Sequence, residues 1–399
     1  MNAWMQNALK TAAAGLVVLG LSGCSTTTHA QDKEMVKTKY MNTRTSLLLD
    51  MAERQFDSED LEQAQRTLND AMKINPTDPR LALLSGRIAL ERGRLERASH
   101  YFSLAIEGNE RLHGAHYFMG IVHQRWEQYE KALVRYNTAY DLVKDRPGYL
   151  LAKVEMLIEL NRTDEALKIL KDRMDYFDNN PGIRLAIAEI YVMRREYGDA
   201  VRYYKQAALL APDDMTILEE LAVIQIAAGQ TKKAVRHLER LTTNKELKNR
   251  DDLKRMLAIA YLSTGRPFDA KKIFSDLTRK YPGNVEDWIK LAEASWAIND
   301  LNGALRAAGR VRATAPDRHE GYLIAGMVWH KRGRVEETLR MYDTASQLAP
   351  KHAEPVILRG ITLEKAGRPA AAAAAYREAL KRQPADQRAQ RLLAAVTKK

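Results

Sequence analysis

His113, His116 and His123 form the densest cluster of side chains able to bind metal or move protons in a 399-residue chain that holds nine histidines and one cysteine. A zinc site needs its ligands to converge on one point at about 2.0–2.3 Å. On a helix His116 and His123 stand two turns apart, roughly 10 Å, which is too far to share an ion. Both also fall at positions whose spacing marks packing residues, so no metal is expected. The candidate carboxylates Glu155, Glu189, Glu219 and Glu293 recur at intervals and never as a pair. Hydrolysis of a polysaccharide, which needs two carboxylates in one cleft, therefore has no candidate residues. No glycine-rich phosphate loop, no Gly-x-Ser-x-Gly elbow and no His-Glu-x-x-His occurs. No catalytic residue and no cofactor is assigned. Cys24, the only thiol, cannot form an internal disulfide, which leaves covalent modification as its chemistry.

The elements that would position any site are copies of one unit. Alanine recurs every thirty-four residues at Ala64, Ala98, Ala132, Ala166, Ala200 and Ala234, and after a two-residue slip the beat continues at Ala270, Ala304, Thr338 and Ala372. Pro76, Pro212, Pro282, Pro316, Pro350 and Pro384 keep the same register. Within residues 79–112, Leu83, Leu84, Ile88 and Leu90 have helical spacing, Glu91-Arg92-Gly93-Arg94 interrupts, and Ala98, Tyr101, Phe102, Ala105 and Ile106 resume it. The unit is thus two helices joined by a short turn, with Gly93, Gly229, Gly265, Gly333 and Gly367 at a left-handed turn position. Small residues (Gly86, Gly120, Ala188, Ala222, Ala258, Ala292, Gly326, Gly360) recur on the first helix. Phe102, Tyr136, Tyr204, Phe274, Tyr342 and Tyr376 follow the second-helix alanines by four and fill the groove between helices. An array of short units has no single deep cleft and presents an extended surface instead.

At these residues, and at Trp288-x2-Leu291-Ala292 and Tyr322-x2-Ala325-Gly326-x2-Trp329, the chain resembles the tetratricopeptide repeat family. The resemblance implies an all-α, right-handed α-solenoid superhelix of about ten helix-turn-helix units over residues 45–386, closed by a capping helix at 387–399. The first unit, with Gln55 and Asp57, and the fourth, with Arg173 and a late Pro181, match least. The slip falls in the polar stretch 242–252 and is expected to lengthen a loop. In this family the first helices line a concave groove that holds a partner. Carried over, the groove residues are Tyr117, Ile121, Leu151, Leu185, Val192, Val223, Ile226, Ile259, Ile289, Trp296, Met327 and Ile357. A bare apolar stripe of that size implies a bound helix or extended segment. The alternative is that curvature buries several of these side chains as ordinary core. Glu155, Glu189, Glu219 and Glu293 on the same face would select basic residues of the partner. The lysine, asparagine and arginine set by which chaperone-binding relatives grip a terminal carboxylate is absent.

Residues 1–10 carry one positive charge and no acid, residues 11–20 are apolar or small, and Leu21-Ser22-Gly23-Cys24 follows. The run is too short to span a bilayer and reads as a signal peptide over 1–23. The quartet resembles the lipobox of bacterial lipoproteins, which implies acyl chains, palmitate among them, on Cys24. Ser25 in place of an aspartate favours the outer membrane, periplasmic face, over the periplasmic face of the inner membrane. Residues 24–44 are expected to be the lipidated cysteine and a flexible tether running into the first helix. The net charge of +12 becomes +11 once Lys10 leaves with the signal, which favours anionic partners; nucleic acid is excluded by export. The basic excess gathers at the turns inside the units (Arg92, Arg94, Arg194, Arg195, Arg266, Arg332, Arg334, Arg368), as a ridge available to anionic lipid or an acidic partner. The function expected is a non-enzymatic, lipid-anchored adaptor that binds envelope proteins of a pilus, secretion or polysaccharide-export machine. The second reading is a recruiter or regulator of cell-wall hydrolases or synthases. Homo-oligomerisation is left open.

Overall fold

The computed structural model describes residues 29–398, so the signal sequence and Cys24 lie outside the described residues. Among the described residues there are twenty-one helices and no strand. The chain divides into two compact units, one ending at Arg162 and one beginning at Thr163. The first holds α1 (His29–Asp57), α2 (Leu61–Ile74), α3 (Pro79–Glu91), α4 (Leu95–Gly108), α5 (His113–Arg125), α6 (Tyr129–Leu142) and α7 (Pro147–Glu159). The second begins with α8 (Thr163–Arg173), α9 (Pro181–Met193), α10 (Tyr197–Leu210), α11 (Met215–Ala227), α12 (Thr231–Thr243), α13 (Asp251–Ser263) and α14 (Pro267–Lys280). It continues with α15 (Val285–Ala297), α16 (Leu301–Thr314), α17 (His319–Lys331), α18 (Val335–Leu348), α19 (Glu354–Lys365), α20 (Pro369–Arg382) and α21 (Gln387–Thr397). Within each unit every helix packs on its sequence neighbour, giving α-hairpins stacked as a solenoid, with α21 covering α20.

The alanine beat is the seam of each hairpin. All nine alanines and Thr338 at that register are fully buried. Opposite them, the first helix carries a small residue because a ring occupies the space of a side chain. A Cβ built on Gly86 would stand 2.3 Å from the Phe102 ring, and on Gly120, Gly326 and Gly360 it would meet Tyr136, Tyr342 and Tyr376 at 2.5, 2.5 and 2.4 Å. Where the second helix offers a smaller residue the first offers a larger one: Ala52 answers Leu68 and Ala222 answers Leu238, all buried.

The turn between the two helices is left-handed in all ten copies. Gly93, Gly229, Gly265, Gly333 and Gly367 have φ of 69–78°, and Glu59, Glu127, Asn161, Arg195 and Asn299 take φ of 57–64° at the same register. The geometry is imposed by the hairpin, so residues with a Cβ accept a conformation that costs about 1–2 kcal/mol. First helices start on capping side chains: Asp78, Asn180, Asp214 and Asn284 accept backbone N–H groups of the first turn.

One expectation changes. Residues 29–44 are not a flexible tether but the first half of α1. No glycine or proline interrupts His29–Asp57, and the helix formed where Thr45, Leu49 and Ala52 pack continues outward with residues 31–40 all exposed. The slip lengthens a connection, 244–250, and the division into compact units falls at the turn of the fourth repeat, one of the two that match the family pattern least. There α8 stops at Arg173 and a second long connection, 174–180, precedes Pro181.

The ring-against-glycine contact predicts that Gly86→Ala lowers stability by about 1–3 kcal/mol. Adding Phe102→Leu, which recreates the native Ala52 and Leu68 pairing, recovers part of that loss in urea unfolding.

Candidate partner-binding site

Among the first helices, one pair places the expected groove residues around a cavity. Val223 and Ile226 of α11, Met256, Ile259 and Ala260 of α13, with Thr231 and Ser263 at the rim, enclose about 230 Å³. Val223 and Ile259 are exposed large apolar side chains, 40% and 49% accessible. The cavity lies between the first helices on either side of the two-residue slip. It is smaller than the roughly 300 Å³ at which small-molecule sites begin, so it suits one or two apolar side chains of a partner. Met256 and Thr231 were not expected; the slip beside them was the available signal.

Most other groove residues are packed. Ile289 and Ile357 are 2% exposed and belong to the core. Tyr117 joins an aromatic cluster, its ring 4.8 Å from that of Tyr149 and 5.6 Å from that of Tyr136. Leu151, Leu185, Val192 and Met327 are half-buried. Trp296 packs against the second unit's core under the Lys331 ammonium, 5.3 Å from the ring centre. A continuous bare stripe is therefore not what the first helices present, because neighbouring units cover each other's side chains.

The acids expected to select basic residues have partners within the chain. Glu219 takes two hydrogen bonds from Arg250, at 2.9 and 3.3 Å, and Glu293 accepts from Lys290 at 2.8 Å. Glu155 accepts from Gln124 at 2.8 Å, and Glu189 is exposed but engaged. Glu155 and the expected groove residue Ile121 do share a cavity of about 420 Å³ in the first unit, with Glu127, Tyr129 and Glu159. A third cavity, about 440 Å³, opens beside the slip between α12, α13 and α14. Its Asp251 carboxylate is held down at about 2 by the Lys280 ammonium, with the Tyr281 hydroxyl and Lys254 as further donors.

The expected basic ridge is largely a set of staples. Arg92 reaches back to the carbonyl of Leu61 and the carboxylate of Glu62 at the start of α2. Arg194 reaches Thr163 and Asp164, Arg266 reaches Glu239, Arg332 reaches Asn302 and Arg368 reaches Glu336. Each joins a turn to the second helix of the preceding repeat. Arg334 pairs with Glu337 on its own helix, and Arg94 is left exposed. An acid about thirty residues before Arg92, Arg194, Arg266 and Arg368 was the sequence signal for this pairing, and Asn302 takes that place for Arg332.

The three histidines also separate. His113 Nδ1 lies 2.7 Å from the Tyr149 hydroxyl, His116 Nε2 donates to the Glu110 carbonyl at 2.9 Å, and His123 Nδ1 lies 3.0 Å from Gln128. Burial lowers the pKa of all three. Among the described residues no group of three or more His, Cys, Asp or Glu side chains is placed to hold a metal, and no helix is long and apolar enough to cross a membrane.

Stacked helix pairs with this turn, seam and surface are what family models for the tetratricopeptide repeat describe, and three such models match. They cover residues 55–110 and 330–396, 185–246, and 255–284, together more than half of the chain. The chain belongs to the tetratricopeptide-repeat family. Tetratricopeptide repeats generally mediate protein–protein interaction. No curated protein matches the chain in sequence. Among solved structures it is similar to pilF of Pseudomonas aeruginosa, at 16% identity and TM-score 0.46 over 51% of this chain and 92% of that one. It is similar to a tetratricopeptide repeat protein of Parabacteroides merdae, at 19% identity and TM-score 0.44 over 63% of this chain and 99% of that one. Yeast Tom70 aligns at 13% identity and TM-score 0.41 over 89% and 88% of the two chains. At these values the assignment rests on the family models and the repeat geometry.

His116 is 5% exposed, and its Nδ1 has no partner, so protonation would bury an unsatisfied charged donor. Its folded pKa lies below the ordinary 6.5, so its stabilising contribution is present above that pH and is lost as pH falls through the lower folded value. The thermal midpoint is expected to drop between about pH 7 and about pH 5, and to drop less in His116→Gln.

Proposed function

We propose that this protein is a non-catalytic adaptor, anchored by acyl chains on Cys24 to the periplasmic face of the outer membrane, which holds a segment of an envelope-machine protein against its first helices. The observation that carries the binding half is the cavity between α11 and α13, where exposed Val223 and Ile259 flank half-buried Ile226 and Met256. Removing such a pair from water on binding contributes about 1.5–3 kcal/mol per side chain, enough to make it an anchor point. The surrounding charges are already paired within the chain, so recognition at this place is by apolar shape.

The anchoring half is supported by the leader and Leu21-Ser22-Gly23-Cys24. Two or three acyl chains, at roughly 0.8 kcal/mol per buried methylene, hold a protein of this size stably. A pilus, secretion or polysaccharide-export assembly is the class of partner that fits this address.

Photo-crosslinking in cells from a probe at Thr231 should trap a defined partner. Val223→Glu with Ile259→Glu should reduce its capture on the order of 30-fold while helical circular dichroism persists; undiminished capture would place the site elsewhere. Separately, Cys24→Ser should release the protein from the membrane fraction, and an unchanged distribution would remove the lipid-anchoring half of the proposal.

A further inference from the structure

The two ends of the described chain are treated differently. At the C-terminal end α21 lays Ala389 and Val396 onto α20, and no large apolar side chain of α21 is among the exposed ones. At the other end α1 is apolar on two sides. Thr45, Leu49 and Ala52 pack inward, while Val36, Tyr40, Leu47 and Met51 are 68%, 61%, 61% and 44% exposed. At 3.6 residues per turn these four fall in one sector of about 100°, opposite the packing side.

The same sector holds Lys33, Lys37, Arg44 and Arg54, and no Asp or Glu. All four cations are exposed, and none pairs with a carboxylate among the described residues. The face is thus apolar and basic over about 30 Å of helix. A second copy of the chain would fit it poorly, because its own face would set a like row of cations opposite. An anionic bilayer surface fits both components: the apolar side chains enter the headgroup boundary and the cations meet phosphate. The position along the chain agrees. Four residues separate Cys24 from His29 at the start of α1, five steps that span at most about 18 Å of extended chain.

We propose that α1 lies on the surface of an anionic membrane through Val36, Tyr40, Leu47 and Met51, flanked by Lys33, Lys37, Arg44 and Arg54. The face thereby fixes the orientation of the first compact unit at the bilayer. This extends the membrane attachment proposed above, and its test is made without acylation. The full chain carrying Cys24→Ser has no other cysteine, so Leu47→Cys or Thr38→Cys can carry an environment-sensitive fluorophore, the latter on the opposite side of α1.

With vesicles of mixed phosphatidylcholine and phosphatidylglycerol, the label at position 47 should shift to the blue and the label at 38 should not. Binding should weaken roughly fivefold for each of Lys33→Glu, Lys37→Glu and Arg44→Glu, and fall with added salt. Equal shifts at both positions would mean that residues 11–21, not this face, bring the chain to lipid, and would overturn the proposal. No shift at either position, or equal binding to pure phosphatidylcholine, would also overturn it. A shift at 47 without vesicles that grows with protein concentration would give the face to a second copy instead. Because every arm lacks Cys24, failure here leaves the acyl-anchor reading untouched, and failure of cellular release by Cys24→Ser leaves this one untouched.

Discussion

Everything in this molecule depends on how closely two helices of one repeat can approach. An aromatic ring of the second helix sits where a side chain of the first would otherwise stand, and the fully buried alanine four residues before the ring keeps the axes near. That contact decides the left-handed turn, since the helices must reverse within a few residues. It does so strictly enough that Glu59, Glu127 and Arg195 accept a positive φ. It also decides which side chains are left over to meet a partner.

Charge then joins one repeat to the next. Arg92, Arg194, Arg266, Arg332 and Arg368 link turns to the preceding second helix, while Arg250 and Arg318, at the starts of first helices, reach back to Glu219 and Glu286, and Arg255 reaches forward to Asp287. Asp287, paired with Arg255 on two hydrogen bonds, is 2% exposed, so that pair is structural and its loss would leave a buried charge. A net charge of +12 therefore overstates the free basic surface. The row on α1 is grouped and has no carboxylate partner among the described residues, and it lies beside an apolar stripe, next in the chain to the leader.

The hairpin, its turn and its buried seam were legible because each is set by residues within thirty-four positions of one another. Gly93 and its counterparts showed the turn in five copies; the other five were hidden because Glu, Asn and Arg fill it under compulsion from the hairpin. The groove was legible only as a register. Ile289 and Ile357 stand at the register of half-buried Tyr117, Leu151 and Leu185 and are themselves buried, whereas the exposed Val223 and Ile259 lie four residues later in the unit. The turn arginines misled in the same way: a cation's partner thirty residues earlier is invisible to composition. Residues 29–44 misled oppositely, since a polar stretch with no glycine or proline extends a helix already nucleated by packing.

By itself the sequence determined the unit, its period, its helix pairing and its family, because these follow from local spacing and from side-chain volume. It also determined that Val223 and Ile226 belong to an outward register beside a two-residue slip. Only the tertiary structure decided that this place is an apolar opening of about 230 Å³ while the equivalent place between α5 and α7 is lined by Glu127, Glu155 and Glu159, that most of the basic turns are staples, and that α1 carries a second apolar face. Accessibility depends on what neighbouring repeats cover, and that is a property of the stack that no single repeat encodes.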